Sequence, residues 1–146
     1  MKKIITKPHL FFFGLVPIYI LFSFLTDDKT LDINIYDTYL VITYFHFHLF
    51  SATFFAMIGL NYYALHWAEK PPKKGLTTVH ILLQTVAMLL ILTNNNWNWI
   101  GSQTNSKIQL LNDNSNLVIV LSVLIFLLSV FIHLINFLTS ILLKTE

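Results

Sequence analysis

Apolar residues dominate four stretches of the chain, and polar clusters separate them. The first runs from about His9 to Leu25, HLFFFGLVPIYILFSFL, and its helix is kinked or weakened at Pro17. A second extends from about Tyr39 to Trp67, with no Asp, Glu, Lys or Arg between Asp37 and Glu69. A third covers about Thr77 to Thr93 and leads into the Asn-rich run NNNWNWIGS. The fourth, Leu117 to Leu143, has only His133 and Asn136 as markedly polar members. A helix of roughly 20 mostly apolar residues crosses the hydrocarbon layer. The pattern therefore predicts an all-α, integral membrane four-helix bundle that occupies the whole chain as one domain, with a long polar loop at 94–116.

Composition supports that class: of 146 residues, 55% are hydrophobic and 11% charged, with a mean hydropathy of +0.67. A soluble domain carries charge at about 25% of its positions. The nine basic residues are all lysine, so no bidentate arginine clamp is present. There is no cysteine, which removes disulfides, thiolate metal sites and a cysteine nucleophile. A net charge of +2 with lysines scattered in loops offers nucleic acid no basic face. The partner implied first is the lipid bilayer.

Lysine placement sets the orientation. Lys2, Lys3 and Lys7 precede span one, Lys70, Lys73 and Lys74 separate spans two and three, and Lys144 follows span four. The opposite loops carry Lys29 and Lys107 together with Asp27, Asp28, Asp32, Asp37 and Asp113. By the positive-inside rule both termini lie on the cytoplasmic side of a bacterial inner membrane, or the matrix side of a mitochondrial inner membrane. The basic, apolar start resembles a secretory signal, but TDDKTLD follows it without a small-residue cleavage site, so a retained anchor is expected. The outer loop offers a surface for another chain, or is simply solvated.

Residues 36–50, YDTYLVITYFHFHLF, place Asp37, His46 and His48 within an otherwise apolar segment. Polar groups in hydrocarbon are costly unless satisfied, which makes them candidates for function. Two histidines two residues apart on a helix project about 200° apart. They do not chelate one ion in the manner of HExxH, but they suit a helix between two planar cofactors. Proton relay and plain interhelical hydrogen bonding remain open alternatives.

The stretch LDINIYDTYLVITYFHFHLF resembles the tenth transmembrane helix of subunit I of the haem-copper, or cytochrome c, oxidase family. TVHILLQTVAMLLILTNNNWNWIGS and LVIVLSVLIFLLSVFIHLINFL are similar to the two helices that follow, so the resemblance covers nearly the whole chain and only the last four helices of that subunit. It implies haem, with the low-spin ligand falling on His46 and the high-spin ligand position on Tyr44 when the chains align without gaps from Asp37. A slip of two residues would place the pair on His46 and His48 instead. The family's magnesium-binding His-Asp pair reads Tyr36-Asp37 here, leaving Asp37 as a candidate metal ligand with magnesium doubtful. GSQTNSKIQ stands where the family has its propionate-binding arginines, with Lys107 as the cation there. The copper ligands and the second axial histidine of the low-spin haem have no counterpart.

His133, about 16 residues or roughly 24 Å from the outer end of its helix, matches His80 in depth, and the two are a candidate bis-histidine haem site. The plainer expectation is that His133 bonds a Ser, Thr or Asn across an interface and that His80 sits at headgroup level. His9, His66, Trp67, Trp97 and Trp99 read as interfacial residues, and Asn61, Gln84 and Asn136 as interhelical hydrogen-bond partners. The function implied is a haem-binding membrane protein within or beside a respiratory electron-transfer complex, unable to reduce oxygen alone. The alternatives are a haem-free assembly protein, a fragment of a split subunit I, and, last, a small proton-conducting bundle. Other oxidase subunits or a second copy are the implied protein partners.

Overall fold

The computed structural model describes residues 6–26, 30–35, 38–93 and 114–142. The described chain is mostly helical, with α1 at Pro8–Leu25, α2 at Tyr44–Trp67, α3 at Lys74–Leu92 and α4 at Asn114–Leu142. Pro8 starts α1, where its missing N–H costs nothing, and the helix continues through Pro17 as one element. Asp37, Lys107, Trp97, Trp99 and nearly all of the 94–116 loop lie outside the described residues.

The second span departs from expectation at its N-terminal end. Residues 38–43 are not helical: β1 (Thr30–Ile35) and β2 (Thr38–Thr43) form an antiparallel hairpin, with Thr30 opposite Thr43 and Ile35 opposite Thr38. TLDINI and TYLVIT are rich in β-branched residues, which fit a pleated ribbon better than a helix. Thr43 then ends the strand and caps α2, its hydroxyl accepting from the His46 backbone N–H at 3.4 Å. No continuous helix therefore runs from Thr38 to His46.

Among the described residues three helices are long and apolar enough to cross a membrane: Pro8–Leu25, Lys74–Leu92 and Leu117–Leu142 within α4. α2 is long enough at 24 residues, but His46, His48, Asn61, His66 and its three tyrosines dilute its apolar character.

α2 ends in a Schellman turn. Glu69 N–H donates to His66 O at 3.2 Å, Lys70 N–H donates to Leu65 O at 3.0 Å, and Glu69 takes the left-handed φ of 56° that glycine usually supplies. This turn brings α3 back beside α4, where Lys70 Nζ donates to Ile141 O and Lys73 N–H donates to Asn136 Oδ1 at 2.9 Å. The start of α1, the end of α2, the start of α3 and the end of α4 thus share one end of the bundle.

α1 packs along α2 and α3 along α4, while α2 meets α4 at few places. Gly59 allows the close approach of α1 to α2, since a Cβ there would lie 2.8 Å from the Phe13 ring. The main core gathers Phe12, Tyr19, Phe55, Ile58, Tyr62 and Leu65. Large apolar side chains such as Phe24, Phe50, Leu124 and Leu142 face outward, while Thr77, Gln84, Ser122, Ser129 and Asn136 are buried. Apolar outside and small or polar inside is the arrangement helices adopt against lipid.

Candidate functional site

His46 and His48 occupy the first turn of α2 and have opposite surroundings. His46 is exposed, and its Nδ1 pairs with the Thr43 hydroxyl, which fixes the ring and leaves Nε2 facing away from that contact. The same threonine caps the helix and orients the imidazole. His48 is only 2% exposed, packed among Tyr19, Phe22, Tyr44 and Phe47 at ring-centroid separations of 5.5–5.8 Å. Its Nδ1 is buried without a hydrogen-bond partner. Tyr44 is buried with Leu31 and Ile119 beneath the hairpin.

The residues the family resemblance assigns to haem therefore do not converge on one pocket. His46 suits an axial ligand, because second-sphere hydrogen bonding at Nδ1 is how a ligating imidazole is commonly held. His48 and Tyr44 are enclosed by aromatic and aliphatic packing, which leaves a macrocycle no access in this arrangement. Asp37, the candidate metal ligand, lies outside the described residues, and among the described residues no group of three or more His, Asp or Glu side chains is placed to hold an ion.

A second constellation lies deep between α2, α3 and α4. His133 and His80 stack at 4.8 Å between ring centroids, with 29° between planes. Phe12 of α1 stacks on His80 at 5.1 Å and 21°. A haem iron with two histidine ligands holds them on opposite faces of the macrocycle, and the rings in direct contact leave no space for one between them in this arrangement. His80 is also 0% exposed, enclosed by other helices near the start of α3. The loop before α3 is short and doubles back, so the face of α3 that carries Thr77 and His80 is buried from its first turns.

Asn61 Nδ2 donates to His133 Nε2 at 3.3 Å, which puts the proton of neutral His133 on Nδ1. Tyr62 Oη and His80 Nδ1 share a hydrogen bond at 2.9 Å whose direction follows the His80 tautomer. His133 Nδ1, His80 Nε2 and Gln84 Nε2 are buried without hydrogen-bond partners. Around them, Ser129 Oγ donates to Gln84 Oε1 and His80 O, both at 3.1 Å, and Asn136 Nδ2 donates to Thr77 Oγ1 at 2.9 Å. Asn61, Gln84 and Asn136 thus act as the interhelical partners expected of them. Tyr62, Thr77 and Ser129 were not singled out from sequence, although the spacing of Ser129, His133, Asn136 and Ser140 marks one face of α4.

A third group lies at the shared end of the bundle. His9 stacks on His66 at 5.0 Å and 22°, beside a cavity of about 260 Å³ whose walls include Tyr62 and Glu69. His9 is buried against neighbouring side chains at this end of the bundle, and its Nδ1 has no partner. No family model, curated protein or solved structure matches the chain.

Proposed function

We propose that the chain is a four-span integral membrane subunit of, or accessory to, a respiratory electron-transfer complex, in which His46 presents an axial ligand to a haem shared with a partner chain. The observation that carries this reading is the exposed His46 imidazole, held at Nδ1 by Thr43 in the first turn of α2. Bound there, haem would supply one-electron chemistry. This chain would contribute His46 as ligand, Thr43 as the group that orients it, and the outer faces of α1 and α2 as an apolar wall. The remaining walls and the second ligand come from the partner, because His48 and His133 are packed inside the bundle. α2 completes the fourth span despite its polar content, since its polar side chains largely face other helices or lie near the helix ends.

The His80–His133 core, whose rings stack directly on one another, favours a second reading, a haem-free assembly protein. Isolation of the native membrane complex through a tag on this chain, followed by a pyridine haemochrome assay on the chain and on its His46→Ala variant, separates the two. Haem lost in His46→Ala supports the first reading. A stable oxidase partner with haem content unchanged by His46→Ala supports the second.

A further inference from the structure

We propose that the cleft between α2 and α4, backed by α3, is a binding site for one acyl chain of a membrane phospholipid. The inference rests on the bundle spanning a bilayer and is independent of haem at His46.

α2 and α4 both lead away from the hairpin, yet they meet at few places. Near the hairpin, Tyr44 and Phe47 of α2 join Leu31 and Ile119 in a small buried cluster. Further along, Phe54 of α2 meets Phe126 of α4 at 4.8 Å between ring centroids. A cavity of about 280 Å³ lies along this stretch, walled by Phe47, Phe50 and Phe54 on one side and by Ile119, Val123 and Phe126 on the other. Phe47 to Phe54 and Ile119 to Phe126 each cover roughly 10 Å of helix, so the cleft is elongated along the helix axes. Because the helices already touch at both levels, the gap between them does not close by their simple approach.

The chemistry of the wall selects the ligand. Every lining side chain is aliphatic, aromatic or a thioether except Ser51, whose hydroxyl donates to Phe47 O at 2.8 Å. Water needs two to four polar partners and finds too few here, and a headgroup or a haem propionate fares worse. An apolar cavity of about 150 Å³ stays dry and takes benzene, so this longer one suits a longer hydrocarbon. Left empty, its lining would forfeit the dispersion contacts of a close-packed interior. The hydrocarbon is at hand, because Phe50, Val123 and Leu127 line the cleft and are also exposed on the apolar outer surface. The buried wall at Ala87, Ile91 and Ile119 is thereby continuous with the surface that meets lipid.

The test uses the full chain in phosphatidylcholine vesicles that include a phosphatidylcholine bearing a diazirine midway along one acyl chain. After photolysis, tandem mass spectrometry locates the labelled residues. Any surrounding lipid labels exposed positions such as Leu89 of α3 and Leu124 of α4, whereas only a chain inside the cleft reaches Ile91 and Ile119. The proposal expects both buried isoleucines to be labelled. Ala87→Phe fills the cleft from α3 and Val123→Phe from α4, and each is expected to lose those two labels while Leu89 and Leu124 keep theirs. Circular dichroism confirms the helix content of both variants. Labels at Leu89 and Leu124 without Ile91 and Ile119 in the parent chain would overturn the site, as would buried labels that persist in both folded variants. Displacement of the buried labels by a long-chain polyprenyl quinone would overturn the phospholipid assignment. A parent chain labelled at none of the four positions would instead overturn the spanning reading.

Discussion

Asn136 ties α4 to the turn that starts α3. Its side-chain oxygen accepts from Lys73 N–H and its amide donates to Thr77 Oγ1, each at 2.9 Å, and it is fully buried. Asn136→Leu removes both bonds while keeping the same branched, four-heavy-atom side-chain shape. Interhelical hydrogen bonds in membrane proteins average about 0.6 kcal/mol and reach about 1.7, so the expected loss is roughly 1–3 kcal/mol. Little is added for orphaned groups: Thr77 still donates to Lys73 O at 3.1 Å, and Lys73 is exposed to water. Thr77→Val removes one of the same bonds, so a double-mutant cycle isolates a coupling of about 0.6 kcal/mol. Unfolding by sodium dodecyl sulfate in mixed micelles, read by far-ultraviolet circular dichroism, measures all four proteins. A coupling of zero, or an Asn136→Leu variant as stable as the parent, would refute the bridging role.

Other substitutions probe separate parts of the structure. Gly59→Val forces a Cβ against Phe13, so it is expected to destabilise by about 1–3 kcal/mol, and Phe13→Ala should recover part of that loss in the same unfolding assay. Glu69→Gly should stabilise by about 1 kcal/mol, because the left-handed φ of 56° is strained for glutamate; a loss of stability would count against the turn assignment. Thr43→Val removes the cap of α2 and the orienting contact to His46, which is expected to cost about 1 kcal/mol and to shift the haem spectrum of the native complex.

α1, α3 and α4 were legible because long apolar runs bounded by lysines and aspartates have few other solutions. The hairpin was not, because YLVITYFHFHLF carries no charged residue and no Pro or Gly to mark where strand gives way to helix. The available signal was the pair TLDINI and TYLVIT two residues apart, a hairpin spacing with β-branched positions in both arms. For the buried histidines, sequence gave depth but not rotation. His80 and His133 were placed at matching levels on neighbouring helices, whereas their stacking depends on which faces of α3 and α4 meet. The polar stripe Thr77, His80, Gln84 on α3, facing Ser129, His133, Asn136 on α4, carries that information, since residues three and four apart share a helix face. His46 and His48 are alike as letters, and only the Thr43 cap and the cage around His48 separate them.

The central claim concerns His46 at the edge of the bundle, and a reduced-minus-oxidised absorbance spectrum of the native complex, isolated through this chain, tests it most directly. The account predicts a haem band assigned to this chain that disappears in His46→Ala and survives in both His48→Ala and His133→Leu. A band that survives His46→Ala and is lost in a folded His48→Ala complex would contradict it.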